Sequence, residues 1–230
     1  MSARGPSSVA DAPPPVAAPS PARRETAGVK TGPGERDFLD AALVNPVVRE
    51  VLARAERLGL PDWYLAAGCL FQTVWNVLDG RDPRHGINDY DLIYHDDRDV
   101  SWNAEDAVIR RCAEVFDDLG VEVEVRNQAR VHLWYEDHFG VPCPPIRSSA
   151  DAVDRYAAHA CRVAVRTGPA GHEVYAPSGF DDLFAFVVRP NPVIAPRHVY
   201  EAKAARWQRL WPRLVVLPWP EDADADLVAT

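Results

Sequence analysis

Asn88-Asp89-Tyr90-Asp91-Leu92-Ile93-Tyr94 is the stretch on which the fold turns. It alternates like a strand and then runs apolar, so an acidic start sits at a rim while the rest enters a core. Side chains two apart on a strand share a face. Asp89 and Asp91 therefore project together, with Tyr90 opposite. Two adjacent carboxylates repel, and without a cation one tends to keep its proton. A divalent cation removes that repulsion, and oxygen-only ligands suit magnesium or manganese. A two-metal site, with ions about 4 Å apart, needs a third acid from a neighbouring strand.

Towards the C-terminus, Ser101 reads as the cap of a helix over 103–119, with Glu105 and Asp106 near its positive end. Val121 to Arg126 alternates strictly and reads as the neighbouring strand. It offers Glu122 and Glu124 on one face. Glu124, nearest the Asn127-Gln128 turn, is the expected third acid. Arg130 to Tyr135 reads as a further strand.

Towards the N-terminus, Asp79 to Gly86 is a loop by composition. Cys69 to Leu78 reads as a helix, and Asp62 to Gly68 as a short buried strand ending at glycine. A helix start offers unpaired backbone N–H groups and positive partial charge, which suit a triphosphate. Glycine there lets a phosphate approach the backbone. Upstream, Leu43, Val47, Val48, Val51 and Leu52 have helical spacing around Pro46, and Gly59 ends that segment. Downstream, 150–158 reads as a helix, 162–166 and 173–176 as a hairpin, and Phe180 and His198 each open a helix. The expected fold class is α+β: a mixed sheet with helices on one side and a helical C-terminal portion.

The chain has 230 residues, 47% hydrophobic and 26% charged, with a net charge of −9. That length buries a core without disulfides or structural metal. The acidic balance argues against broad, non-specific DNA binding, which neutralises phosphates with a basic face. Residues 1–36, rich in Pro, Ala, Ser and Gly, read as a disordered tail. Residues 37–218 read as one domain, and 219–230 as an acidic flexible tail. Cys69, Cys112, Cys143 and Cys161 form no CxxC pair and read as reduced thiols. With no membrane-length apolar run and no secretory h-region, the expected location is cytoplasmic, with no membrane partner.

Three groups of residues together resemble the nucleotidyltransferase superfamily, which includes DNA polymerase beta, poly(A) polymerases and aminoglycoside nucleotidyltransferases. They are Ala67-Gly68-Cys69 with Thr73 to Gly80, Asp89 to Tyr94, and Glu124-Val125-Arg126-Asn127-Gln128-Ala129-Arg130-Val131-His132. The likeness is nearer to a small bacterial nucleotidyltransferase-like family of unassigned substrate. It continues through Pro177 to Phe184 and Trp211 to Leu214. The resemblance implies that Asp89, Asp91 and Glu124 are catalytic and bind Mg2+ or Mn2+. Gly68, Cys69, Asn127 and Arg130 are the expected nucleotide-binding residues. Cys69 stands where the superfamily usually has Ser or Gly.

The expected activity is metal-dependent transfer of a nucleoside monophosphate from an NTP to an unidentified acceptor: a small molecule, RNA or protein. The alternatives are a non-catalytic nucleotide- or metal-binding regulatory domain, which Cys69 favours, and a toxin-like protein acting on a macromolecule. His132 reads as a substrate contact or as a satisfied half-buried histidine. Arg81 and Arg84 read as phosphate grips or as a solvated loop. Asp181 and Asp182 read as helix caps.

Overall fold

Helices start and stop where local chemistry dictates. The computed structural model describes residues 32–221. Helix α1 (Glu35–Ala42) follows Gly34, whose backbone N–H donates to Asp37 at 2.8 Å. Helix α2 (Pro46–Leu58) is capped by the Asn45 side chain, carries proline at its first position, and ends at Gly59 with φ of 62°, a left-handed stop that glycine adopts without steric cost. Strand β1 (Tyr64–Ala66) leads into helix α3 (Gly68–Leu78), and strand β2 (Asp89–Tyr94) follows the loop. Helix α4 (Trp102–Phe116) is capped by Ser101, which accepts from the Ala104 N–H at 3.2 Å. Strand β3 (Glu122–Asn127) comes next.

The strand expected over Arg130 to Tyr135 is instead a 3₁₀ helix, Gln128–Leu133, followed by helix α5 (Tyr135–Phe139). Two causes are visible. The Asn127 side chain accepts from the Ala129 N–H at 3.1 Å, turning the chain out of extension. Val131 and Tyr135, four apart, then pack together with Cys143, Ile146 and Ala152. The apolar spacing that serves burial is that of a helical turn, not a strand.

Helix α6 (Ser149–Asp154), strands β4 (Ala164–Gly168) and β5 (Gly171–Tyr175), helix α7 (Asp181–Phe184), strand β6 (Val187–Val188), helix α8 (Arg197–Leu210) and strand β7 (Val215–Val216) complete the chain. The main sheet has the order β3-β2-β1-β4-β5, with β2 and β3 parallel and the other pairs antiparallel. The expected hairpin is thus β4–β5, and it extends this sheet. The two-residue strands β6 and β7 form a separate parallel pair that the sequence reading did not include.

The main core holds one face of the sheet, through Leu65, Leu92, Val125 and Val165, against Val48, Leu52, Leu70, Trp75 and Trp207 from the helices. The opposite face buries less: Tyr64, Ala66, Ile93 and Ala164 pack with Val153 of α6. Asp89 and Asp91 share the parity of Ile93, so they belong to this second face. Trp219 is buried, its ring 5.7 Å from that of Tyr200, so the folded part runs from Glu35 to at least Trp219. The tails expected at 1–36 and 219–230 otherwise fall largely outside the described residues. No helix among the described residues is long and apolar enough to cross a membrane.

Candidate active site

Parallel pairing sets Asp91 opposite Glu124 and Asp89 opposite Glu122. Asp89, Asp91 and Glu124 line one cleft of about 310 Å3, and Gly68 lines it too. Glu122 lines a separate cavity beside Asp82, Arg84, His85 and Tyr90. Burial pushes the Asp91 carboxyl up to about 7, with further upward push from the charges of Asp89 and Glu124; Lys203 and Arg126 pull it down. Burial first, then the neighbouring charges, disfavours the ionised form of this carboxyl until a positive charge or a proton compensates it.

The chain enters α3 through a strained residue. Ala67 has φ of 53° and ψ of −118°, a conformation that suits glycine and costs an L-residue about 1–3 kcal/mol. It is held by its N–H donating to Val163 at 3.0 Å and its carbonyl accepting from Leu70 and Phe71 at 3.0 and 3.1 Å. At Gly68, a β-carbon would stand 3.1 Å from the Gln72 amide nitrogen and 3.9 Å from Asp89 Oδ1. The bare α-carbon therefore keeps the helix start open between these two side chains.

The same cleft has lining residues that the sequence reading passed over. Tyr156, Lys203, Arg206 and Trp207 line the same cleft. Lys203 is exposed and forms no hydrogen bond or ion pair among the described residues. Arg206 donates to the Gly86 carbonyl at 2.9 Å. Burial raises the Tyr156 hydroxyl well above its ordinary value, followed by the charge of Asp91. The available signal was composition: the chain has only two lysines, Lys30 and Lys203, and Lys203 and Arg206 share a helix face three residues apart.

Three expected nucleotide-binding side chains lie elsewhere. The Cys69 thiol is fully buried and points to the Ala66 carbonyl at 3.5 Å; burial, then Asp91 and Asp89, raises it well above the usual thiol value. Asn127 is tied to Asp96, accepting from its N–H at 3.0 Å and donating to its carbonyl at 2.8 Å. Arg130 pairs with the buried Glu105 and donates to Val100 at 2.8 Å. The cause is distance along β3: Asn127 is three residues beyond Glu124, about 10 Å in an extended chain. His132 lies in the 3₁₀ helix with its Nδ1 buried and unpartnered. Arg81 is spent on Asp79 and the Leu210 carbonyl.

The donor set of Asp89, Asp91 and Glu124 is all hard oxygen on one sheet face, which fits magnesium or manganese in kind. As placed, Glu124 pairs with Arg126 at 2.8 Å, and among the described residues no three His, Cys, Asp or Glu side chains converge as metal ligands.

The family described as Nucleotidyltransferase matches residues 53–216. A solved structure described as "The NMR structure of the protein reveals a CCA-adding enzyme head domain" is similar, with a TM-score of 0.67 and 26% sequence identity, covering 81% of this chain and 97% of that one. No curated protein matches the sequence.

Proposed function

The chain belongs to the nucleotidyltransferase family, and from that premise we propose that it moves a nucleoside monophosphate from an NTP to an acceptor at the Asp89–Asp91 cleft. The observation that carries this is one cavity whose lining holds the carboxylates of Asp89, Asp91 and Glu124 together with the cations Lys203 and Arg206. Acidic and basic groups lining one cavity suit a metal-bound triphosphate, which needs ligands for its cation and partners for its anion.

Asp89 and Asp91 would hold Mg2+ or Mn2+, with Glu124 as third ligand once released from Arg126. When bound, the metal supplies neutralisation of the phosphate charge. The start of α3 and the Lys203–Arg206 pair hold the β- and γ-phosphates. The acceptor oxygen attacks the α-phosphorus, the bond to the bridging oxygen breaks, and pyrophosphate leaves with the electron pair. The acceptor's proton passes to a cleft carboxylate, a role this reading gives to Glu124. Most of the catalysis is orientation and charge compensation.

The test is incubation with each labelled NTP, magnesium or manganese, and a pool of small metabolites and RNA, followed for pyrophosphate and a labelled product. The wild-type protein is expected to give both, and Asp89→Asn neither, while staying folded. Full turnover by Asp89→Asn would reject the assignment. The buried Cys69 thiol leaves no hydroxyl at the helix start, which favours a second reading, a nucleotide-binding regulatory domain. Calorimetric NTP binding without pyrophosphate release would support that reading.

A further inference from the structure

Helix α3 is short of free donors where the proposed reaction needs them. The first N–H groups of a helix are its anion-binding equipment. Here the Leu70 N–H is already turned back to the Ala67 carbonyl at 3.0 Å. Gly68 and Cys69 are left to contribute theirs. The carboxylates on the facing strand offer only acceptors, and they repel the phosphoryl oxygens that must come close.

Gln72 stands where the deficit is. It is 4% exposed and lines the cleft. Its side chain makes no hydrogen bond among the described residues, and its Oε1 is buried without a partner. Helical side chains lean towards the N-terminus, so a residue one turn in covers the turn before it. The Gln72 amide nitrogen accordingly lies 3.1 Å from where a Gly68 β-carbon would be, with Asp89 Oδ1 3.9 Å from the same point. The buried orphan is the amide oxygen, and the amide nitrogen, which makes no hydrogen bond among the described residues, is the end left open to donate into the cleft.

We propose that Gln72 donates a hydrogen bond from its amide nitrogen to a non-bridging oxygen of the phosphoryl group being transferred, making it a catalytic residue of the nucleotidyl transfer on which this inference rests. As the acceptor oxygen bonds to the α-phosphorus and the bond to the pyrophosphate oxygen breaks, those non-bridging oxygens need compensation that the carboxylates cannot give. The Gln72 donor supplies it beside the α3 start, while the acceptor's proton goes to a carboxylate and the electron pair leaves with pyrophosphate. Gly68 keeps the place where these groups meet free of a side chain.

The test uses Gln72→Leu and Gln72→Glu in the pyrophosphate-release assay, with the NTP that the wild type uses and the Sp and Rp α-thio forms of that nucleotide. Gln72→Leu is expected to lower kcat about 10- to 100-fold with little change in KM, and to melt at the same temperature or higher. Gln72→Glu is expected to fall further, because it sets a negative charge against the phosphate. With manganese, which tolerates sulfur, the wild type should still prefer one thio diastereomer, and Gln72→Leu should erase that preference, since sulfur is a poor acceptor for the amide. Unchanged kcat in Gln72→Leu, or an intact thio preference with a lowered melting temperature, overturns the inference and leaves nucleotidyl transfer standing. A wild type that releases no pyrophosphate from any NTP overturns both.

Discussion

Gln72 and Asn76 are buried amides one turn apart on α3, and the two ends of that helix use them in opposite ways. Asn76 spends everything it has: its nitrogen donates to Pro83 and His85 at 3.2 and 2.8 Å, and its oxygen accepts from the Trp211 indole at 2.9 Å. Around it Thr73 donates to Cys69 and accepts from Asn45. This end ties the 79–86 loop and the end of α8 to the helix. At the other end the Gln72 amide is idle, Ala67 is strained and Asp91 is held near neutrality. A buried polar group fully matched within the fold is part of its architecture. Departures from local rules gathered at one cleft mark the place where the fold has been left incomplete for a ligand.

The strongest way to break that contrast is at the cleft end. Asp91→Asn is expected to lower pyrophosphate release by on the order of 10³-fold, yet to stabilise the metal-free protein. The sign follows from linkage. Burial, then the Asp89 and Glu124 charges, raises Asp91 in the folded state to about 7. Between the ordinary carboxylate range and pH 7 the folded protein binds more protons than the unfolded one, so stability falls as pH rises through that window. Melting temperatures of metal-free wild type should therefore drop from pH 5 to pH 8, and the drop should shrink in Asp91→Asn. Magnesium should restore the wild type at pH 8 and do little for the variant. A variant that melts lower at every pH would make Asp91 a structural residue and erase the distinction between the two ends.

The converse change is Asn76→Leu. It removes the partners of the Trp211 indole N–H and the His85 carbonyl, while the Pro83 carbonyl keeps the Thr73 hydroxyl, and is expected to cost about 2–4 kcal/mol in urea denaturation. Turnover per folded molecule should stay within about twofold. Loss of turnover with stability intact would show that the far end also takes part in the chemistry.

What the sequence disclosed follows the same division between near and far. The β2 strand, the Gly59 stop, the Ser101 cap and the Gly68 helix start are set by residues within a few positions, and each reads from local pattern. Strand pairing put Glu124 opposite Asp91 because alternation along two strands fixes their faces, whatever lies between. The basic lining was not readable in this way. Lys203 and Arg206 reach the cleft only because α8 packs Trp207 against Phe71, a contact between distant segments that leaves no trace in either sequence pattern. Asn127 and Arg130 lie outside this cleft's lining for a related reason. Closeness to Glu124 in sequence became about 10 Å along a strand, and their hydrogen-bonding capacity went to Asp96, Val100 and Glu105. Gln72 looked like an ordinary helical residue, since an unused hydrogen bond shows only when its surroundings are known.

The smallest effect sharpens the comparison at its most local point. Ala67 holds a φ of 53° with ψ of −118°, where an α-carbon bearing a methyl group is disfavoured and glycine is not. Ala67→Gly removes a strain of about 1–3 kcal/mol and adds back about 0.4–1 kcal/mol of chain entropy to the unfolded state. The net expectation is a gain of about 1 kcal/mol in urea denaturation, with the Ala67–Val163 hydrogen bond retained. Turnover should change less than about threefold, because this residue shapes the entry to α3 through its backbone, which the substitution keeps. A loss of stability would mean that the half-buried methyl packs well enough to outweigh its conformation. The cleft end of α3 would then be strained for the sake of packing, and Ala67 would no longer count among its functional departures.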